Sequence, residues 1–93
     1  MVSKFALAEH VVCRKTNSDL RMLFDRDKGV MYEMNETASA IIDLITQKPA
    51  STDEVAAALE EHFDGPPGEI RADVERLLAD FADAGLVSHA EYA

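Results

Sequence analysis

The side chains that most often perform catalysis or bind metal ions are scattered along this 93-residue sequence. Its three histidines fall in a predicted strand, at the end of a predicted helix and in the C-terminal tail, at His10, His62 and His89. None has a second ligand at the spacing of a metal site, and the sequence contains no glycine-rich phosphate loop. Most carboxylates fall at predicted helix starts or on exposed faces, where capping and solvation account for them. We therefore expect no catalytic residues, no metal and no cofactor.

The cysteine content and the start of the chain bear on its compartment. Cys13 is the single cysteine, so it has no partner for an internal disulfide, and we expect it to be a packed strand residue. Residues 1–10 contain only four consecutive apolar residues, which is too few for a signal peptide, and no apolar span of about 18 residues follows. These features predict a cytoplasmic protein with no membrane partner.

Composition and charge favour a small binding module. With 47% hydrophobic residues, the chain has the composition of one globular domain, which we expect to span residues 1–93. The net charge of −9 is uneven, because the first 30 residues carry +2 and the remaining 63 carry −11. An acidic region of this size repels phosphate backbones and favours a basic partner.

Two hydrophobic periodicities appear in order along the chain. Short segments rich in β-branched and large apolar residues, separated by polar turns, predict strands at about 10–15, 20–25 and 30–34. Gly29 supplies the left-handed residue of the second turn, so the three strands should form an antiparallel meander. Helical spacing then predicts helices at about 36–47, 52–63 and 69–84.

Capping residues support these helix boundaries. Asn35 is a favourable N-cap directly after the third strand. Ser51 and Glu54 have the spacing of a capping box, and Gly85 is placed to end the last helix in a left-handed C-cap. The first helix should bury a stripe made of Ala38, Ile41, Ile42 and Ile45.

The predicted order gives an α+β fold in which a three-stranded antiparallel meander precedes three helices. Its last two helices and attached sheet resemble a winged helix-turn-helix, so a DNA-binding regulator is one alternative. A recognition helix presents basic or amide side chains to DNA. The exposed positions of helix 69–84 instead hold five acids against two bases, and we therefore expect no nucleic-acid partner. These positions are Glu69, Arg71, Asp73, Glu75, Arg76, Asp80 and Asp83.

A sheet edge is the remaining candidate for function. The strand at 30–34 is an edge of the meander, contains no proline and has one charge, Glu33. Alternation directs Val30, Tyr32 and Met34 toward the core. An extended peptide can add to such an edge by β-augmentation. The alternative is that a loop or a second copy of the chain covers the edge, and a homodimer is compatible with the sequence.

Several segments resemble the PqqD-like proteins. The matching segments are MNETA at 34–38, STDEV at 51–55, ADV at 72–74 and GLV at 85–87, with apolar positions between them. The resemblance implies a RiPP recognition element, a winged-helix-like domain that binds the leader of a ribosomally made precursor peptide between its third strand and third helix. The implied peptide-binding residues are Val30, Met31, Tyr32, Glu33, Met34, Ile70, Asp73, Val74, Leu77 and Phe81.

Within that family, the opening residues 5–11 and the segment 71–80 most resemble the stand-alone leader-binding proteins of lasso-peptide pathways. That resemblance implies two partners, a precursor leader peptide and a leader peptidase of the cysteine protease type. The alternative is a peptide chaperone of pyrroloquinoline quinone biosynthesis, whose partner is a radical SAM enzyme.

Overall fold

The computed structural model describes residues 2–92. It contains five strands and three helices within that range. The strands are β1 (Val2–Leu7), β2 (Val11–Lys15), β3 (Arg21–Asp25), β4 (Val30–Glu33) and β5 (Val87–Tyr92). The helices are α1 (Glu36–Gln47), α2 (Thr52–His62) and α3 (Pro67–Asp83).

The meander predicted from the sequence is β2–β3–β4, with β3 in the centre and antiparallel pairing throughout. Phe24 lies opposite Val12 on one side and Met31 on the other. Three helices follow the meander, which confirms the predicted α+β architecture. In this order β4 is an edge strand of its sheet.

A second sheet, which the sequence analysis did not predict, joins the two ends of the chain. β1 pairs with β5 in antiparallel register, with Phe5 opposite His89. The two rings lie 5.6 Å apart between centroids. On its other side, Phe5 exchanges two backbone hydrogen bonds with Ala50, which precedes α2. This sheet therefore fixes the start of α2 relative to both ends of the described chain.

The helix ends follow the predicted caps. The Asn35 side chain accepts from the Ala38 N–H, and Ser51 and Glu54 form both bonds of a capping box. The pKa of Glu54 is lowered mainly by the hydrogen bond from the Ser51 backbone N–H, and to a smaller extent by the nearby Lys4. Gly85 has φ of +76° and completes a Schellman motif after α3.

Helix α3 begins at Pro67, two residues before the predicted start. Proline is favourable in the first turn, because its φ is already helical and its missing N–H has no intrahelical acceptor there. The N–H groups of Glu69 and Ile70 both donate to the Pro66 carbonyl. The Gly/Pro segment therefore starts the helix instead of only separating it from α2.

The core lies between the helices and the strands. The predicted α1 stripe is buried in full, and Leu23 is the fully buried residue at the centre of the meander. The other large buried side chains from the helices and the start of β5 are Val55, Leu59, Val74, Leu78, Phe81, Leu86 and Val87.

Candidate peptide-binding site

The free edge of β4 follows from the hydrogen-bond pattern of the meander. Antiparallel residues bond to the neighbouring strand at alternate positions. Met34 donates its N–H to the Arg21 carbonyl at 3.0 Å, so even-numbered residues of this segment face β3. The N–H and C=O groups of Met31 and Glu33 therefore point away from β3. Within residues 2–92 no other strand pairs with β4 on that side.

Ser39 of α1 holds the C-terminal end of this strand. Its Oγ accepts the Arg21 N–H at 2.8 Å and donates to the Met34 carbonyl at 3.3 Å. The Arg21 guanidinium also bonds the Asp43 carboxylate one turn further along α1. These contacts fasten the end of the β3–β4 ladder to α1, which begins two residues after Met34.

Asp25 organises the turn before β4. Its Oδ1 accepts from the N–H groups of Asp27 at 2.9 Å and Lys28 at 3.0 Å, and the side chain is fully buried. The Lys28 N–H, above all, lowers the pKa of Asp25 despite the opposing effect of burial, and the Asp27 N–H and the nearby His10 add to the lowering. Gly29 closes the turn at φ of +69°. The carboxylate therefore fixes the entry to β4.

Lys28 connects this turn to the end of α3. Its Nζ donates to the Ala84 carbonyl at 3.0 Å, at the C-terminal end of the helix. A cation is favourable there because the last helical carbonyls carry partial negative charge. The contact fixes the start of β4 relative to α3, the helix that the resemblance assigned to the other wall of the site.

The ten predicted site residues differ in their access to a bound peptide. Val30, Met31 and Glu33 are exposed. Tyr32, Ile70, Asp73 and Leu77 are partly buried. Met34, Val74 and Phe81 belong to the core. Val30 lies on the core side of the sheet, opposite the buried Asp25, but the prediction that it packs into the core is wrong, since it is 41% exposed next to the turn. The core residues support the site from beneath, and the other seven are the accessible set.

The two basic residues of α3 are paired with carboxylates of α3 and of α2. Arg76 pairs with Asp73 at 3.0 Å, and Arg71 pairs with both Asp53 and Glu75. The bond to Asp53, above all, raises the pKa of Arg71. Both guanidinium groups therefore already have carboxylate partners.

Three residues that position the strand were missed by the sequence analysis, namely Asp25, Lys28 and Ser39. Two of them had a signal in the sequence. Asp25 begins the second predicted turn, where an Asp side chain commonly accepts the N–H two residues on. The Ser39 hydroxyl, three residues before Ile42, falls on the apolar stripe of α1. A buried polar group requires a hydrogen-bond partner, and here the partners come from β3 and the end of β4.

Other kinds of site have little support in residues 2–92. No group of three or more His, Cys, Asp or Glu side chains in this range is arranged to hold a metal ion. None of the helices described has the length and hydropathy that a transmembrane span requires. Cys13 packs against the core, and burial raises the pKa of its thiol.

The fold and the free edge together define a small winged-helix-like domain with an accessible strand. The family model described as coenzyme PQQ synthesis protein D (PqqD) matches residues 21–87. This match covers more than half of the sequence, so the chain belongs to the PqqD family. No curated protein matches the chain significantly.

Solved structures of similar fold include two peptide complexes. TbiB1 in complex with the TbiA(beta) leader peptide is 19% identical, with a TM-score of 0.81 over 95% of this chain and 98% of that one. Lasso peptide synthetase B1 complexed with the leader peptide is 20% identical, with a TM-score of 0.79 over 90% and 96%. The PqqD truncation of Methylobacterium extorquens PqqCD, described as a stand-alone RiPP recognition element, is 20% identical, with a TM-score of 0.73 over 91% and 88%.

Proposed function

We propose that this chain binds the leader segment of a ribosomally made precursor peptide by strand addition to β4, and presents it to a modifying enzyme. The free edge of β4 is the observation that carries the proposal. Family membership and the leader peptides bound to two proteins of the same fold support it. The chain itself acts without catalytic residues, cofactor or metal, in the cytoplasm.

Backbone bonds supply part of the affinity. Met31 and Glu33 offer two N–H donors and two C=O acceptors, and each net bond contributes about 0.5 to 1.5 kcal/mol. One apolar leader side chain, buried against the partly exposed Ile70 and Leu77, adds about 1.5 to 3 kcal/mol. The ordering of a disordered leader opposes these terms. Before that opposing cost the favourable terms total at most about 9 kcal/mol, so we expect dissociation constants of about micromolar or weaker.

The modifying enzyme is proposed to be the leader peptidase of a lasso-peptide pathway. Two proteins of the same fold, described as lasso peptide synthetase B1 and TbiB1, favour this assignment. The alternative, a chaperone of pyrroloquinoline quinone biosynthesis that serves a radical SAM enzyme, is favoured by the family match. The two assignments share the same peptide-binding edge and differ in the enzyme that receives the peptide.

Calorimetric titration with the precursor peptide encoded beside this chain tests the proposal. We expect binding of the whole precursor and of the synthetic leader, and none of the precursor lacking its leader. Equal binding with and without the leader would contradict the proposal. Light scattering of the free protein addresses the alternative of a homodimer paired through β4, in which added leader would dissociate the dimer.

A further inference from the structure

The outer face of the meander, directed away from the helices, carries an apolar surface that shares only Met31 with the proposed leader site. Alternation places Val12, Met22, Phe24 and Met31 on this face, and together with Arg14 and Arg26 they line one depression of about 440 Å³. Val12, Phe24 and Met31 form a row across the three strands. Two large hydrophobic residues of the described chain are exposed, and Met31, at 59%, is more exposed than Val30. We call these six residues the outer face.

The outer face also holds the two arginines of the described chain that pair with no carboxylate. Arg21, Arg71 and Arg76 each contact an acidic side chain. In residues 2–92 the Arg14 side chain makes no hydrogen bond or ion pair, and the Arg26 side chain donates to the Glu9 backbone carbonyl. Unpaired arginines are unusual in a chain with 18 acidic residues and nine basic ones. Their positions beside exposed apolar side chains give the face a local positive charge, which Glu33, opposite Met22 on the same side of the sheet, reduces but does not cancel.

We propose that the outer face docks an acidic, partly apolar surface of the peptide-modifying enzyme. Aromatic residues, Met and Arg are enriched at the centres of protein interfaces, and this face combines all three types. Charge complementarity specifies the partner, because Arg14 and Arg26 attract carboxylates within a Debye length of about 8 Å. The identity of the partner as a modifying enzyme rests on the proposed function.

A protein fits this face better than an anionic membrane. The chain as a whole carries −9, so an extended anionic bilayer would repel most of its surface. A folded protein contacts only a patch, where the local charge of the face dominates. An acidic enzyme surface is therefore the occupant that the observations favour.

The outer face and the peptide edge lie on different sides of β4. Backbone groups of Met31 point along the sheet toward the free edge, whereas its side chain stands roughly perpendicular to the sheet, on the outer face. A leader strand and a docked enzyme can therefore bind together, with Met31 between them. This arrangement would place the leader next to the enzyme that processes it.

Charge reversal at Arg14 tests the docking surface. The probes are the synthetic leader and the modifying enzyme encoded beside this chain, each titrated separately. We expect Arg14→Glu to weaken enzyme binding about fivefold to tenfold at low salt, with a smaller effect at high salt, and to leave leader affinity unchanged. Phe24→Ser should weaken enzyme binding more than about tenfold, with circular dichroism verifying the fold.

Lys48→Glu is the matched control. It changes the net charge by the same amount at an exposed residue that follows α1, and it should leave both affinities unchanged. Equal effects of Arg14→Glu and Lys48→Glu, or no effect of Arg14→Glu and Phe24→Ser, would overturn the docking proposal. So would loss of leader binding in Arg14→Glu, or Arg14-dependent binding to phosphatidylglycerol vesicles.

The two proposals fail separately in these titrations. If the wild-type protein binds the leader but not the enzyme, the docking surface is wrong and the peptide-binding proposal stands. If it binds the enzyme through Arg14 but not the leader, the peptide-binding proposal is wrong and the outer face is still a docking surface.

Discussion

The two edges of the meander differ in how they meet solvent. On β2 the outward backbone groups belong to odd-numbered residues, and the first of them, Val11, already donates its N–H to the Ala8 carbonyl. Two consecutive basic residues, Arg14 and Lys15, follow along that strand. On β4 the outward groups of Met31 and Glu33 have no partner strand among the described residues.

Charged residues, and loops that bond the outward backbone groups, protect a sheet edge against unwanted strands. The β2 edge has both, in Arg14 and Lys15 and in the bond from Val11 to Ala8. The β4 edge lacks a bonded N–H at its start and has one charged residue, yet Ser39 and Asp25 hold its two ends in position. The β4 edge therefore combines free backbone groups with two fixed ends, and we propose that leader addition uses both properties.

A proline substitution at each edge tests whether the two edges differ in function. We expect the largest effect, on leader affinity, from Glu33→Pro. The substitution removes an N–H that points to the free edge and keeps the ladder to β3. A leader carbonyl is then left without a hydrogen-bond donor, which costs about 1 to 3 kcal/mol of binding free energy. We therefore expect calorimetry to show up to about a hundredfold weaker leader binding.

Lys15→Pro is the control, because the N–H of Lys15 points outward from the opposite edge. It should leave leader affinity within about twofold of wild type. Glu33→Gln separates the loss of charge from the loss of the N–H. Weakening by Lys15→Pro as large as that by Glu33→Pro would mean that the two edges do not differ in function.

Removal of the Ser39 hydroxyl tests the rigidity of the β4 edge. Ser39→Ala leaves the Arg21 N–H and the Met34 carbonyl without a shared partner, so we expect a loss of about 1 to 3 kcal/mol in the free energy of unfolding by urea. Leader affinity should fall with it, since the end of β4 is released. Thr46→Ala removes an exposed hydroxyl from the same helix and should change stability by less than about 0.5 kcal/mol.

If Ser39→Ala destabilises the protein but leaves leader affinity unchanged, the two Ser39 hydrogen bonds contribute to folding alone. Hydrogen exchange at Met34 distinguishes the two cases, because a released strand end exchanges faster at that amide.

The parts of the fold predicted from sequence are those fixed by neighbours along the chain. The caps at Asn35, Ser51 and Gly85 each depend on groups within five residues, so the residue types alone indicate them. The strand at 30–34 and its status as an edge followed in the same way from alternation and turn residues. These local signals also located the candidate peptide-binding edge.

The parts that were missed depend on contacts between distant segments. Pairing of β1 with β5 joins the two ends of the described chain, and neither strand has a strong local signal. The Ser39 hydroxyl joins α1 to β3 through the Arg21 N–H, and Lys28 donates to the Ala84 carbonyl, 56 residues away. Such contacts can be identified only when the complete fold is known. The sequence therefore indicated the β4 edge but not the side chains that fix its two ends.

The smallest expected effect concerns the other end of β4. The pKa of Asp25 is lower in the folded state, so its contribution to stability is complete above the unfolded value of about 3.9 and is lost as pH falls through the folded value. Asp25→Asn should therefore lower the melting temperature at pH 6, and the difference from wild type should shrink toward pH 3. Asp64→Asn, an exposed loop change, should show a small difference at both pH values. A difference between wild type and Asp25→Asn that is constant with pH would mean that the carboxylate charge does not hold the turn, and that the β4 edge depends on Ser39 alone.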